Sequence, residues 1–157
     1  MGLAETAGVL LALDLGSARI GVAACDSGRI LAFPVETIPA QDGYISRVVE
    51  LLQEYNGVGL IIGYPLTLSG QAGIAAEKIL AQAQLLANHV DVPVWLVDER
   101  MSSAEAHSKL RAAGRNAKNS REIIDTQAAV GILESVLCAL REGRTIGKQV
   151  ENKENHG

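Results

Sequence analysis

Gly8-Val9-Leu10-Leu11-Ala12-Leu13-Asp14-Leu15-Gly16 is the stretch on which the fold turns. Its apolar run lacks the polar alternation of a half-exposed strand, so it predicts a strand covered on both faces. Asp14 sits near the C-terminal end of that run, where an ionised carboxylate is costly unless paired, hydrated or bound to a metal. Gly16 allows a tight turn, and Arg19 to Cys25 then reads as a second strand. Asp26-Ser27-Gly28 is a hairpin signal leading into a third strand, from Arg29 to about Thr37. Pro34 inside this third run marks it as an edge strand, because proline cannot donate to a ladder.

Beyond residue 40 the hydrophobic period changes. Ile45, Val48, Val49 and Leu52 repeat at helical spacing over about residues 42–55, with Asn56-Gly57 as a stop. Val58 to Gly63 reads as a buried strand, residues 72–89 as an alanine-rich helix, and Val92 to Val97 as a fifth strand. Two helices are expected over about 103–113 and 121–141, separated by a flexible loop from Gly114 to Ser120. The order βββαβαβαα predicts an α/β domain over residues 8–141, with a five-stranded mixed sheet flanked by helices. Its later strands, separated by helices, are expected to run parallel. The polar segment 142–157 is expected to be a disordered tail.

The chain has 157 residues, of which 48% are hydrophobic, 20% charged and 3% aromatic. That balance excludes wholesale disorder, and so few rings argue against a base-stacking platform for single strands. Two cysteines, Cys25 and Cys138, are too few for a disulfide framework or a zinc cluster and read as reduced thiols. Cys25 is expected to serve packing. No run approaches a membrane span, and no basic stretch precedes the first apolar run, so a cytoplasmic protein is expected. The net charge of −4 hides an asymmetry. Residues 106–121 contain Lys109, Arg111, Arg115, Lys118 and Arg121 and no acid, leaving −9 on the remainder (−9 + 5 = −4).

Three acidic positions are candidates for chemistry. Asp14 and the pair Asp98-Glu99 lie at strand ends, where ligands bind in open α/β sheets. Adjacent strand residues point to opposite faces, so one of Asp98 and Glu99 is expected to share a site with Asp14. Asp125 shares a helical stripe with Ala129, Ile132, Leu133, Val136 and Leu140, a face that must pack against the sheet. Oxygen ligands of this kind suit Mg²⁺, while no His or Cys spacing competes for zinc. A cationic segment beside such acids suits a phosphodiester substrate. No G-x-x-x-x-G-K-[ST] or G-x-S-x-G motif is present.

Leu13-Asp14-Leu15-Gly16-Ser17-Ala18-Arg19-Ile20-Gly21-Val22-Ala23 resembles the opening motif of the YqgF-type family of Holliday-junction-resolvase-like, pre-16S rRNA nucleases. Ile62-Gly63-Tyr64-Pro65-Leu66 with Ser69-Gly70 resembles the second motif. Val97-Asp98-Glu99-Arg100-Met101-Ser102-Ser103 resembles the third, and Ile124-Asp125 with Ala128-Ala129 the fourth. Thr67 departs from the family pattern, where asparagine is frequent, and Cys25 stands where a small polar residue is common.

The resemblance implies a ribonuclease H-like fold and metal-dependent phosphodiester hydrolysis. The acids matching its catalytic set, as ligands of Mg²⁺ or Mn²⁺, are Asp14, Glu99 and Asp125. Arg19 and Arg100 are expected to contact phosphates near the metal, and Lys109, Arg111, Arg115 and Lys118 to hold flanking ones. The expected substrate is the 5′ end of the 16S rRNA precursor, with ribosomal association. The alternatives are a four-way DNA junction, whose symmetric cutting needs a homodimer rather than a monomer, and a non-catalytic ribosome-assembly or RNA-binding factor.

Overall fold

Six strands and three helices are assigned among the described residues of the computed structural model. These are residue 3 and residues 6–16, 18–64, 73–98, 117–144 and 147–150, without the side chains of 74, 75 and 117–125. The strands are β1 (Leu10–Leu15), β2 (Arg19–Cys25), β3 (Ala32–Pro39), β4 (Gly59–Tyr64), β5 (Val94–Asp98) and β6 (Lys148–Val150). The helices are α1 (Tyr44–Glu54), α2 (Ile74–His89) and a long α3 (Ala117–Arg141). The expected helix over 103–113 lies outside the described residues.

The strands form one mixed sheet in the order β3-β2-β1-β4-β5-β6. β1, β4 and β5 are parallel, while β2 and β3 fold back antiparallel beside β1. The double-sided burial read from residues 8–15 holds: Leu10, Leu11, Ala12 and Leu13 have no exposed surface. β3 is the edge strand that Pro34 required, and the β2–β3 register shifts beside Pro34, between Val22 and Ala23.

Alternation along the strands divides the core into two layers. Leu11, Leu13, Ile20, Val22, Leu60, Ile62, Val94 and Leu96 pack against α1 and α2. Leu10, Ala12, Ala23, Cys25, Ile61, Trp95 and Val97 pack against α3. The stripe read on the last helix is found there, with Ala129, Ile132, Leu133 and Val136 buried and Leu140 partly so. Val130, Leu137 and Ala139 are buried too, so this face is wider than the stripe.

Two expectations are corrected. The sheet has six strands rather than five, because Lys148–Val150, within the segment expected to be a disordered tail, pairs antiparallel with β5. Lys-Gln-Val carries no hydrophobic pattern; backbone bonds to an otherwise open sheet edge define this strand. The last helix begins at Ala117, so Ala117 to Ser120, read as loop, is helical. Asn119 and Ser120 are poor helix formers but not breakers, and such weak preferences yield to context.

Candidate active site at the strand-end rim

β1, β4 and β5 all end on the same rim of the sheet, and Asp14 stands there half-buried. Its position on β1 has the parity of Leu10 and Ala12, so Asp14 belongs to the α3 side. Its partner across the β1–β2 ladder is Gly21. On the other side, one step beyond the Leu13–Ile62 pair, the corresponding β4 residue is Gly63. Neither neighbour projects a side chain over the carboxylate, which leaves room for a ligand on this face.

Gly16 holds this rim in shape. Its N–H donates to the Arg19 carbonyl at 3.0 Å and closes the turn between β1 and β2. A Cβ at Gly16 would lie 2.5 Å from that carbonyl oxygen, so any other residue would push the backbone apart. Arg19 begins β2 half-buried and has the parity of Gly21, Ala23 and Cys25. It therefore shares both rim and face with Asp14.

Asp98 ends β5 with the parity of Val94 and Leu96, which pack in the α1–α2 layer. Its ladder partner is Tyr64, which packs in that same layer. The structure therefore separates Asp98 from the Asp14 face. Glu99, Arg100, Lys109, Arg111 and Arg115 lie outside the described residues, as do the side chains of Lys118 and Asp125.

The backbone of Asp125 is in α3, one turn before the fully buried Ala129. At the other end of α3, Arg141 donates through Nη1 to the Ile30 carbonyl in the β2–β3 hairpin, at 3.5 Å. That hairpin is on the opposite rim, where β1 begins, so α3 runs antiparallel to β1 and its Asp125 end points toward the Asp14 rim.

Two other polar side chains have local partners. His89 is exposed, with Nδ1 2.8 Å from the Leu85 carbonyl oxygen. Cys25 is buried on the opposite rim, where its Sγ accepts from the Leu10 N–H at 3.2 Å. Burial pushes its thiol above the ordinary range, which keeps it protonated and supports a packing role. Among the described residues no three His, Cys, Asp or Glu side chains gather for a metal. No helix among them is long and apolar enough to cross a membrane.

On the α1–α2 side, the same rim opens into a cleft of about 1100 Å³. It is lined by Asp14, Leu15 and Gly16 from the rim, by Tyr44 from α1, and by Ile79 and Gln82 from α2. Tyr44 and Gln82 were not singled out in the sequence: 38 residues apart on two helices, they leave no spacing signal. The glycines at 21 and 63 were visible, but only the sheet register shows that they flank Asp14.

The fold is shared with solved RuvC structures. The structure "T. thermophilus RuvC in complex with Holliday junction substrate" aligns with a TM-score of 0.60 and 16% identity, over 90% of this chain and 99% of that one. Among curated proteins, one of Cutibacterium acnes named "Putative pre-16S rRNA nuclease" is 45% identical over 88% of this chain and 87% of its own length. A Streptomyces avermitilis protein of the same name is 46% identical over 90% of this chain and 93% of its own length. The family model described as "RuvX: Holliday junction resolvase" matches residues 8–139. The chain is thus a member of the RuvX (YqgF) Holliday-junction-resolvase-like family.

Proposed function

We propose that this chain is a divalent-metal-dependent nuclease that processes the 5′ end of the 16S rRNA precursor in the cytoplasm. The observation that carries the reading is Asp14: a half-buried carboxylate at the strand-end rim, between two glycines, on the face toward which the Asp125 end of α3 runs. The catalytic unit is the domain over residues 8–141. The names of the curated relatives support the rRNA substrate.

Asp14, Glu99 and Asp125 would hold the metal. Their all-oxygen chemistry fits a hard cation such as Mg²⁺ or Mn²⁺. Asp98 lies with the α1–α2 layer, away from Asp14, which supports its neighbour Glu99 rather than Asp98 itself as the second ligand. When bound, a divalent cation supplies Lewis-acid activation of water and neutralises the leaving oxygen. Arg19, on the same face, is suited to hold a phosphate beside the scissile bond. Arg100, Lys109, Arg111, Arg115 and Lys118 supply the positive charge for flanking phosphates and for a site on pre-ribosomal RNA.

A second reading, a Holliday junction resolvase acting as a homodimer, is favoured by the description of the family model and by the likeness of the fold to RuvC. One experiment separates the two. Cleavage of precursor 16S rRNA and of a four-way DNA junction is compared in Mg²⁺, beside a solution mass measurement. The rRNA reading expects cutting of the precursor by a monomer; preferential cutting of the junction by a dimer reverses the assignment. Asp14→Asn and Asp125→Asn are each expected to lower cleavage by about 10³-fold, the several kcal/mol that metal catalysis contributes. Full activity in either variant removes that residue from the site.

A further inference from the structure

The cleft on the α1–α2 side starts at the same rim residues, Asp14 to Gly16. Leu15, Ile20, Ile45 and Ile79 give it an apolar part, and its size exceeds a single planar group, leaving room for the sugar that carries one. The polar contact inside is specific. The Tyr44 hydroxyl donates to Gln82 Oε1 at 2.5 Å. That bond fixes the carboxamide, leaving its NH₂ as a donor pair and the phenolic oxygen as an acceptor. Burial raises the Tyr44 hydroxyl above its usual range, so it keeps the proton that sets this orientation.

We propose that this cleft is a nucleobase subsite, in which an unpaired base next to the scissile phosphate inserts between α1 and α2 and presents an edge acceptor to the Gln82 amide. The inference rests on the nuclease reading above, because it takes its strand from the substrate at Asp14. A phosphate fits the cleft poorly: Asp42 and Lys78 line it together, so it offers no net positive site for an anion. A base supplies what the cleft asks for, a flat apolar body with hydrogen-bonding groups at one edge. A strand crossing the rim would thus have its backbone at Asp14 and one base on the far face of the sheet.

The test uses the full chain and a fragment of precursor 16S rRNA carrying an abasic ribose at each position flanking the cut, one at a time. Both cleavage kinetics and equilibrium binding by fluorescence anisotropy are read. In the wild type, one abasic position is expected to raise KM and Kd by roughly five- to thirty-fold, the loss expected when a donor is left unpaired. Gln82→Leu is expected to raise them by a similar factor on intact RNA with kcat unchanged, and to become insensitive to that abasic position. Tyr44→Phe, which frees the carboxamide while keeping the ring, should give a smaller shift in the same direction.

Equal abasic penalties in wild type and Gln82→Leu, or no effect of either change, would overturn the subsite. Failure of the nuclease reading looks different. Binding that depends on the base and on Gln82, without any cleavage, leaves the subsite standing and removes the hydrolytic activity. Cleavage without base dependence does the reverse.

Discussion

The two rims of the sheet are built on opposite principles. Where β1 begins, polar groups are matched to partners and little is left over. Arg29, at a left-handed φ of 58°, donates to the Gly8 carbonyl at 2.8 Å, the Leu3 carbonyl at 3.2 Å and the Thr6 hydroxyl at 2.8 Å. Asp26 Oδ1 accepts from the N–H groups of Ile30 and Leu31, both at 2.8 Å, and Cys25 accepts from Leu10. These bonds tie the N-terminal segment and the β2–β3 hairpin to the sheet. Where β1 ends, the same strand offers a half-buried acid between glycines, an arginine on the same face and a cleft behind. One rim is arranged for stability and the other for a ligand. The lesson is that hydrogen bonds within a hairpin fasten one rim, whereas an acid flanked by glycines keeps space beside it for a ligand at the other.

Substitutions can break this contrast. After loss of the acids themselves, the largest effect is expected at Gly16. Gly16→Ala forces the turn away from the Arg19 carbonyl and moves Asp14, and displacement of about 1 Å at a reacting centre costs on the order of 10²-fold in rate. The kcat for RNA cleavage should fall by that factor while the variant still folds; an unchanged kcat would show that the turn does not position the acid.

Next comes the opposite rim. Arg29→Ala removes three hydrogen bonds from a charged donor and should lower unfolding free energy by about 1–3 kcal/mol in denaturant titration. Amide exchange should rise at Gly8 and its neighbours, with kcat preserved. A loss of kcat at unchanged stability would mean that the rims are coupled.

The smallest effect lies away from both rims, where the Arg47 guanidinium on α1 makes a two-pronged bond to Glu36 on β3, at 2.7 and 2.9 Å. This bond holds the Glu36 carboxyl below the usual range. Because its folded pKa is depressed, the pair stabilises above the unfolded value near 4.3 and loses that contribution as pH falls through the folded one. Both side chains are about one-third exposed, so screening limits the pair to roughly 0.2–1 kcal/mol. Glu36→Gln should show that deficit at pH 7, and the two proteins should converge in acid. A deficit that persists there would assign the effect to packing.

Much of this was legible in the chain. Continuous apolar runs at 8–15 and 58–63 forced strands covered on both faces, and Pro34 forced an edge. The four motifs around Asp14, Gly63, Glu99 and Asp125 pointed to the family by their resemblance to its motifs, in the same order along the chain. β6 was not legible, since Lys-Gln-Val pairs with β5 through its backbone and places only Val150 against the core, too little for a hydrophobic pattern.

The amino-acid sequence by itself determined the order of elements from β1 to β5, the double-sided burial of β1 and the candidate acids, because periodicity and charge are local properties. Only the tertiary structure decided which groups meet. Strand register set Gly21 and Gly63 beside Asp14, alternation turned Asp98 to the opposite face, and helix direction aimed the Asp125 end of α3 at the strand-end rim. Pairing Tyr44 with Gln82 depended likewise on how α1 and α2 lie on the sheet. Such meetings are fixed by packing across long sequence separations, which no local pattern encodes.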